Sequence, residues 1–285
     1  MNRETAKALA MLRQDNRNGA SYLTGFAAEI VREALHRGET DALEEIAKNI
    51  AASHPAMASL YRFAQGVMEA GQRGGKREVE AFCHNFLVEF RENGDRAVAN
   101  AVEHLRGKRR FLTHSHSSLV RKALLKLGEK GDLRVICTES RPMGEGVELA
   151  ESLCEAGIET ALVVDALAAS LLKEVDALLL GADGVGEFGL MHKAGTYPLA
   201  LAAAAAGVPV LSIVTKEKWW PKGTPLPSEF PRPAEEVAHT KCASVINRYF
   251  DLTPLRLVDA FITEAGVLAP DEASGRYVAA LHHFS

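Results

Sequence analysis

Cysteine is scarce in this chain of 285 residues, and its four cysteines stand far apart. Cys83, Cys137, Cys154 and Cys242 form no CxxC pair and no Cys/His spacing of the kind that binds a metal. We therefore expect no metal and no other cofactor. Isolated thiols are typical of a reducing compartment, so a cytoplasmic setting is expected.

The chain also lacks an excess of positive charge and a long apolar segment. Its net charge is −4 and its pI is about 6.2, so nothing in its charge points to nucleic acid or an anionic membrane as a partner. The most apolar run, residues 199–214, is broken by Gly207 and Pro209 and predicts a buried helix followed by a strand, not a membrane span. The first twelve residues carry charges throughout and lack the apolar core of a signal peptide.

Two kinds of pattern divide the chain near Gly107. Before it, apolar residues recur at helical spacing, with a break at residues 71–75. After it, short apolar runs alternate with amphipathic segments, which is typical of a mainly parallel, doubly wound sheet. The sequence thus predicts an α/β protein, with a helical N-terminal domain over residues 1–107 and a Rossmann-like domain over residues 108–285. The predicted helices of the first half cover residues 19–37, 56–70 and 77–105, and the predicted strands cover residues 111–113, 134–138, 160–164, 177–180, 208–214 and 257–263.

One segment of the second half is rich in proline. Residues 216–238 contain five of the eleven prolines and both tryptophans. The segment is too long and irregular for a simple connection, so we expect it to form a lid or an oligomer contact. Trp219 and Trp220 are expected to pack in that lid or interface.

Residues 176–196 carry the strongest sign of chemistry. A predicted strand ends there, Asp183 follows in a glycine-rich loop, and Lys193 precedes the start of an alanine-rich helix. Ligands bind at the carboxyl ends of strands in open α/β sheets, and a helix N-terminus beside a lysine favours phosphate. A small phosphorylated ligand is therefore expected at this point.

Other polar segments are predicted to reach the same rim of the sheet. Residues 17–20 precede the first long helix, residues 113–118 follow the first strand, and residues 138–142 follow the second. Asp165, after the third strand, is expected to cap a helix beneath the site, with binding of a ligand hydroxyl as the alternative. His114 and His116 have no third ligand nearby in sequence, so hydrogen-bonded side chains are expected there in place of a metal site.

The motifs RNGA at residue 17, FLTHSHS at 111–117, TESRP at 138–142, GADGV at 181–185 and HKAGT at 192–196 occur in this order, followed by YFDLTP and FITEAG. Together they resemble the translation initiation factor 2B α/β/δ-subunit family, which includes methylthioribose-1-phosphate isomerase and ribose-1,5-bisphosphate isomerase. The resemblance extends from about residue 17 to about residue 266. It implies a helical domain followed by a Rossmann-like domain that carries the site and the interface of a homodimer or higher homo-oligomer.

In the isomerases the resemblance implies proton transfer by an aspartate of the GAD motif and by a cysteine after the first strand. Asp183 matches the aspartate, whereas Ser115 stands at the cysteine position. A serine hydroxyl is a much poorer acid than a thiol and needs an adjacent base. His114 and His116 flank it, and imidazole transfers protons near neutral pH. Asp183, Ser115 and His116 are therefore the candidate catalytic residues.

The positions that bind the ligand in the family are only partly retained. The resemblance implies phosphate contacts by Arg17 and Lys193, whereas His54 replaces an arginine and Glu145 a glutamine. A carboxylate beside a phosphate is unfavourable without a cation between them, so either the ligand lies differently or Glu145 points away. The predicted ligand-binding residues are Arg17, Gly19, Ala20, His114, Glu139, Arg141, His192 and Lys193.

Two functions follow from these residues. In the first, the chain binds a phosphorylated sugar or a nucleoside monophosphate without chemistry; Ser115 and the segment SLYRF at 59–63, which resembles the regulatory α subunit, favour it. In the second, the chain is an active aldose–ketose isomerase acting on a pentose phosphate, with Asp183 and a shuttle built from His and Ser. Cys137 is predicted to be a core residue, with a relocated catalytic thiol as the alternative.

Overall fold

A computed structural model describes residues 1–129 and 131–278 of the chain. The first part is helical, as predicted. Its helices are α1 (Arg3–Gln14), α2 (Ala20–His36), α3 (Leu43–Ser53) and α4 (Ala58–His104). The long α4 is interrupted at Gly74 and Gly75, where Gly75 has φ of 62°, so the predicted break is confirmed. Helices α1 and α3 were not among the predicted helices.

The second part is built of strands and helices. The strands are β1 (Arg110–Thr113), β2 (Arg134–Thr138), β3 (Glu159–Val163), β4 (Ala177–Leu180), β5 (Gly184–Gly186), β6 (Gly189–Lys193), β7 (Val210–Ile213), β8 (Phe250–Thr253), β9 (Ala260–Thr263) and β10 (Gly266–Leu268). The helices are α5 (Ser118–Gly128), α6 (Glu145–Glu155), α7 (Asp165–Ala168), α8 (Thr196–Ala206) and α9 (Pro270–Tyr277).

The main sheet has seven strands in the order β10-β9-β7-β4-β1-β2-β3, and all neighbours except β9 and β10 are parallel. Helices cover both faces: in β1, Phe111 packs with α5 and α6, whereas the adjacent Leu112 packs with α8. The predicted α/β fold with a doubly wound, mainly parallel sheet is therefore confirmed. Chain order reverses between β1 and β4, so the loops after these strands diverge and leave a crevice.

A second, smaller sheet lies after β4. Strands β5, β6 and β8 form an antiparallel sheet in which β6 is central. The sequence predicted only a glycine-rich loop between Asp183 and Lys193. Strands β5 and β6 are short and contain glycines, so they show little alternation of apolar and polar residues. Strand β6 also pairs with β8, which lies more than fifty residues further along the chain.

The apolar core divides inside α4. One cluster joins α1, α2, α3 and the first half of α4, as far as Cys83, and the next begins at Ala97 and includes the main sheet. The C-terminal half of α4 thus packs on the α/β part. The domain boundary after residue 107 stays a prediction. In the part of the chain that the structure describes, no helix is long and apolar enough to cross a membrane.

The two tryptophans of the proline-rich segment are core residues. Trp219 stacks on Tyr277 and meets the edge of Phe261, and Trp220 packs against Tyr61. Both side chains are buried within the single chain, so their predicted place in a lid or interface is wrong. Most residues after 221 in this segment lie at the surface, and their role as a lid or oligomer contact stays a prediction.

Candidate functional site

A pocket of about 210 Å³ opens beside the ends of β1 and β4, between the α/β part and the start of α2. It contains most of the residues that the sequence predicted for the site. Those that line it are Arg17, Gly19, Ala20, Ser115, His116, Asp183, His192 and Lys193. Glu145, Glu148, Lys218 and Tyr249 also line it.

The crevice between β1 and β4 brings the two candidate catalytic loops together. Ser115, in the loop after β1, has φ of 70°, and its N–H donates to the Ser140 hydroxyl at 2.7 Å. Gly181 directly follows β4, and a Cβ there would lie 2.5 Å from that of Ser117. Glycine is thus required at 181 because the loop after β1 passes too close for a side chain.

Asp183 has the properties of an acid–base group. Its carboxylate faces the pocket and forms no hydrogen bond with any described residue. Burial raises its pKa from 3.8 to about 6, against the opposing effects of the Lys218 and Lys193 ammonium groups. A carboxyl group with such a pKa exchanges its proton near neutral pH, as general acid–base catalysis requires.

Lys218 is a site residue that sequence reasoning missed. Its Nζ donates to the Ala182 carbonyl at 2.7 Å, and its side chain is buried. Burial lowers the pKa of Lys218, and the Asp183 carboxylate opposes that effect. The residue lies in the proline-rich segment outside any motif, so only the three-dimensional path of that segment places it beside Asp183.

Glu145 joins Ser115 to Lys193. Its Oε1 accepts a hydrogen bond from the Ser115 Oγ at 3.0 Å and forms an ion pair with the Lys193 Nζ at 2.8 Å. Its Oε2 is buried and has no hydrogen-bond partner among the described residues. The alternative that Glu145 points away from the site is therefore wrong, because Glu145 points inward and pairs with the lysine expected to bind phosphate.

His192 presents an acceptor at the pocket wall. The Thr196 hydroxyl donates to the Lys193 carbonyl at 2.6 Å, so His192 must donate from Nδ1 to the Thr196 oxygen, at 2.9 Å. Burial lowers the pKa of His192 well below its usual value, so the ring is neutral and Nε2 keeps its lone pair. His116 lies nearer the rim, where burial lowers its pKa and Glu148, 3.7 Å away, opposes that effect.

Three residues predicted to bind the ligand lie outside the pocket lining. His114 donates from Nε2 to the Ala194 carbonyl at 2.9 Å, and its Nδ1 lies 2.6 Å from the Thr138 hydroxyl. Both ring nitrogens are thus engaged, and His114 supports the loop beneath the site. Arg141 is exposed and donates to the Glu236 carbonyl at 2.9 Å, and the partly buried Glu139 lies next to it in the loop after β2.

Three further residues have structural roles. Asp165 accepts from the N–H groups of Ser140 and Arg141, both at 2.7 Å, so it fixes the loop after β2 and does not cap its own helix as predicted. His54 is buried and its Nε2 donates to the Leu12 carbonyl, away from the pocket. Cys137 is buried in the core as predicted, and burial raises its thiol pKa to about 12, which excludes the alternative of a relocated catalytic thiol.

The expected phosphate site at the start of α8 is already occupied. The Asp251 carboxylate accepts from the N–H groups of Gly195 at 2.8 Å and Tyr197 at 3.0 Å. A carboxylate of the chain thus takes the place predicted for phosphate. Helix α2 offers a second N-terminus at the pocket: Gly19 is its N-cap, no described side chain caps it, and its first turn contains no acidic residue.

The fold and the pocket define a class of protein: a Rossmann-like α/β domain with a carboxyl group of raised pKa at its switch point, preceded by helices that line the same pocket. The sequence matches the Initiation factor 2 subunit family over residues 1–270, and the chain belongs to this family. The resemblance found from the motifs is thus confirmed.

Two relatives illustrate the range of names within the family. The chain is 30% identical to ribose 1,5-bisphosphate isomerase of Archaeoglobus fulgidus, over 95% of this chain and 91% of the relative. It is 28% identical to a putative translation initiation factor eIF-2B subunit 2-like protein of Pyrococcus furiosus, over 94% and 97%. Relatives of this chain thus include proteins named as sugar-phosphate isomerases.

Solved structures share the fold over nearly the whole chain. The translation initiation factor eIF-2B of Pyrococcus horikoshii superposes with a TM-score of 0.84 at 26% identity, covering 95% of this chain and 98% of that one. The tetrameric eIF2B-beta2-delta2 complex of Chaetomium thermophilum gives 0.74 at 18% identity, covering 96% and 93%. At this lower identity the likeness concerns the fold alone, and it shows that a chain of this fold occurs in an oligomer.

Proposed function

We propose that this pocket binds a phosphorylated sugar or a nucleoside monophosphate. The observation that carries the proposal is the position of Arg17 beside the uncapped N-terminus of α2 at one end of the pocket. The Arg17 side chain is exposed, lines the pocket and forms no ion pair within the described residues, so it is free to meet an anion. Asp183 and His192 line the same pocket and supply acceptors for sugar hydroxyls.

The size of the pocket supports a small ligand. Its volume of about 210 Å³ lies below the roughly 300–1,000 Å³ typical of sites for drug-sized molecules. A pentose phosphate therefore fits this pocket better than a dinucleotide does. The name of the Archaeoglobus fulgidus relative, a ribose bisphosphate isomerase, also favours a sugar phosphate.

Thermal-shift screening of pentose phosphates, hexose phosphates and nucleoside monophosphates tests the proposal, because a ligand of the folded state raises the melting temperature. Calorimetry on the hits then compares Arg17→Ala with the wild type. Loss of a hydrogen-bonded charge pair is expected to weaken binding by about 10- to 100-fold. Arg3→Ala removes an exposed arginine of α1 outside the pocket and is the matched control. The proposal fails if no phosphorylated compound stabilises the protein, or if both variants bind equally well.

Asp183 favours a second function, aldose–ketose isomerisation of a pentose phosphate. That reaction moves a proton between adjacent carbons, and Asp183 combines a pKa of about 6 with a position in the pocket. The hydroxyl of Ser115, hydrogen bonded to Glu145, or the His116 ring would act at the neighbouring oxygen. Product analysis of each bound pentose phosphate by NMR separates the two functions: a ketose phosphate product establishes catalysis, and its absence leaves binding alone.

We also propose that the protein is a cytoplasmic homodimer or higher homo-oligomer, assembled through its α/β part. Its cysteines are free thiols, as a reducing compartment allows. Large apolar side chains are exposed on the α/β part, as expected of a surface that a second copy covers. They include Leu162, Val164, Leu167, Leu226, Val237 and Ile246. Analytical ultracentrifugation is expected to show an oligomer at micromolar concentration, and a purely monomeric sedimentation profile would contradict this.

A further inference from the structure

We infer that the pocket accepts a ligand with a single phosphate and discriminates against bisphosphates. The reason is that the Glu145 carboxylate is paired with Lys193, the cation that a second phosphate would need. The inference rests on the proposed function, since it concerns which phosphorylated ligand the same pocket takes. It is carried by three observations: the partners of Lys193, the partners of the α8 N-terminus, and the charges that line the pocket.

Two groups near β6 that could bind an anion are already paired with carboxylates of the chain. The Lys193 ammonium is paired with Glu145 at 2.8 Å, and the N–H groups at the start of α8 bind the Asp251 carboxylate. Lys218 is buried, donates to the Ala182 carbonyl, and lies near the Asp183 carboxylate. A phosphate placed at Lys193 or at the start of α8 would therefore have to displace a carboxylate of the chain.

Among the described residues, Glu145 has no other cationic donor to replace Lys193. Its Oε2 is buried without a hydrogen-bond partner in the described part of the chain, and its Oε1 accepts from the Ser115 hydroxyl and is ion-paired with Lys193. If a phosphate drew Lys193 away, a largely buried carboxylate would keep a single neutral hydrogen bond. Leaving a buried charge without its partner is strongly unfavourable, so Glu145 opposes a second phosphate at this position.

The total charge of the pocket supports the same conclusion. The lining holds three cationic side chains, Arg17, Lys193 and Lys218, and three carboxylates, Asp183, Glu145 and Glu148. One phosphate group carries about −2 charge at neutral pH, so a sugar bisphosphate brings about −4. Arg17 beside the α2 N-terminus matches one such group, and a second one would meet the carboxylate of Glu145.

Calorimetry with ribose 5-phosphate and ribose 1,5-bisphosphate tests the inference on the intact protein. The wild type is expected to bind the monophosphate at least about 10-fold more tightly. Glu145→Gln keeps the side-chain shape, removes the charge and releases Lys193. It is expected to raise the affinity for the bisphosphate by about 10- to 100-fold and the affinity for the monophosphate by less, so that the ratio of the two affinities shifts toward the bisphosphate. Glu151→Gln makes the same chemical change on an exposed position of α6 outside the pocket, so its ratio of affinities should equal that of the wild type.

The affinities of the two ribose phosphates separate failure of the inference from failure of the proposed function. If the wild type binds the bisphosphate as tightly as the monophosphate, the inference is wrong while the proposed function stands, and this comparison needs no variant to fold. If Glu145→Gln and Glu151→Gln show the same ratio of affinities, Glu145 is not the determinant. If neither compound binds the wild type or Glu145→Gln, the ribose phosphates are not ligands, and the inference falls together with that choice of ligand.

Discussion

Gly146→Ala is expected to lower the free energy of unfolding by about 3 kcal/mol, at the upper end of what overpacking usually costs. A Cβ at this position would lie 1.8 Å from the Thr138 carbonyl oxygen and 2.8 Å from the Ser140 Oγ. The first of these is a backbone atom at the end of β2, so it cannot move aside as a side chain can. The start of α6 would have to shift instead. Since Glu145 directly precedes Gly146, the shift would also disturb the contacts of Glu145 with Ser115 and Lys193.

Urea unfolding followed by circular dichroism measures this change. Gly275→Ala is the matched control, because Gly275 lies in α9 and is exposed, and a Cβ added there would meet no described atom within 4 Å. Replacing a glycine inside a helix by alanine without strain is expected to stabilise the protein by up to about 1 kcal/mol. The structure around α6 would be contradicted if the two variants had the same stability.

The main sheet was predictable from the sequence because its parallel strands are short apolar runs that neighbouring residues alone reveal. The apolar runs at 134–138 and 177–180 coincide with β2 and β4, and residues 160–164 differ from β3 by one position. Buried parallel strands form short continuous apolar segments, and helices between them make their spacing regular. The small sheet was not predictable in this way, because β6 is defined by pairing with the distant β8.

Within the site too, sequence patterns located the side chains that lie in motifs but not those placed by contacts between distant segments. The motifs indicated Asp183, Ser115 and Lys193, and all three line one pocket. The sequence did not reveal that Asp251 occupies the start of α8, because the carboxylate comes from a strand more than fifty residues further along the chain. The position of Lys218 beside Asp183 depends on the path of an irregular segment. Local pattern thus located the pocket, whereas its charge pairing depends on contacts between distant segments.

The ion pair of Glu145 with Lys193 also concerns position 115. The family resemblance implies a cysteine there, and this chain has Ser115. A serine hydroxyl transfers a proton only when a base lies beside it. Glu145 supplies a carboxylate at 3.0 Å from the Ser115 Oγ, and Lys193 contacts the same carboxylate oxygen. The replacement of the thiol therefore occurs together with a carboxylate that accepts a hydrogen bond from the serine hydroxyl.

Asp183→Asn is expected to lower turnover of an accepted pentose phosphate by about 10²- to 10⁴-fold, the usual contribution of one general acid–base group. The amide keeps the shape of the side chain and cannot exchange the proton. Ligand affinity should change far less than turnover, because the phosphate contacts are assigned to Arg17 and the start of α2 and not to Asp183. Steady-state kinetics and calorimetry on the same preparation separate the two effects, with Asp271→Asn, an exposed residue of α9, as the control.

The same variant tests the pKa of Asp183 even if the protein binds its ligand without catalysing a reaction. Burial raises the pKa of this carboxyl group from 3.8 in the unfolded chain to about 6, so its protonated form stabilises the fold. That contribution is complete below about pH 4 and is lost as the pH rises through about 6. Asparagine does not titrate, so the stability of Asp183→Asn relative to the wild type should increase between pH 4 and pH 7, by up to about 3 kcal/mol. A constant difference across that range in urea unfolding would mean that Asp183 has an ordinary pKa, and a general-acid role for it at neutral pH would then have no support.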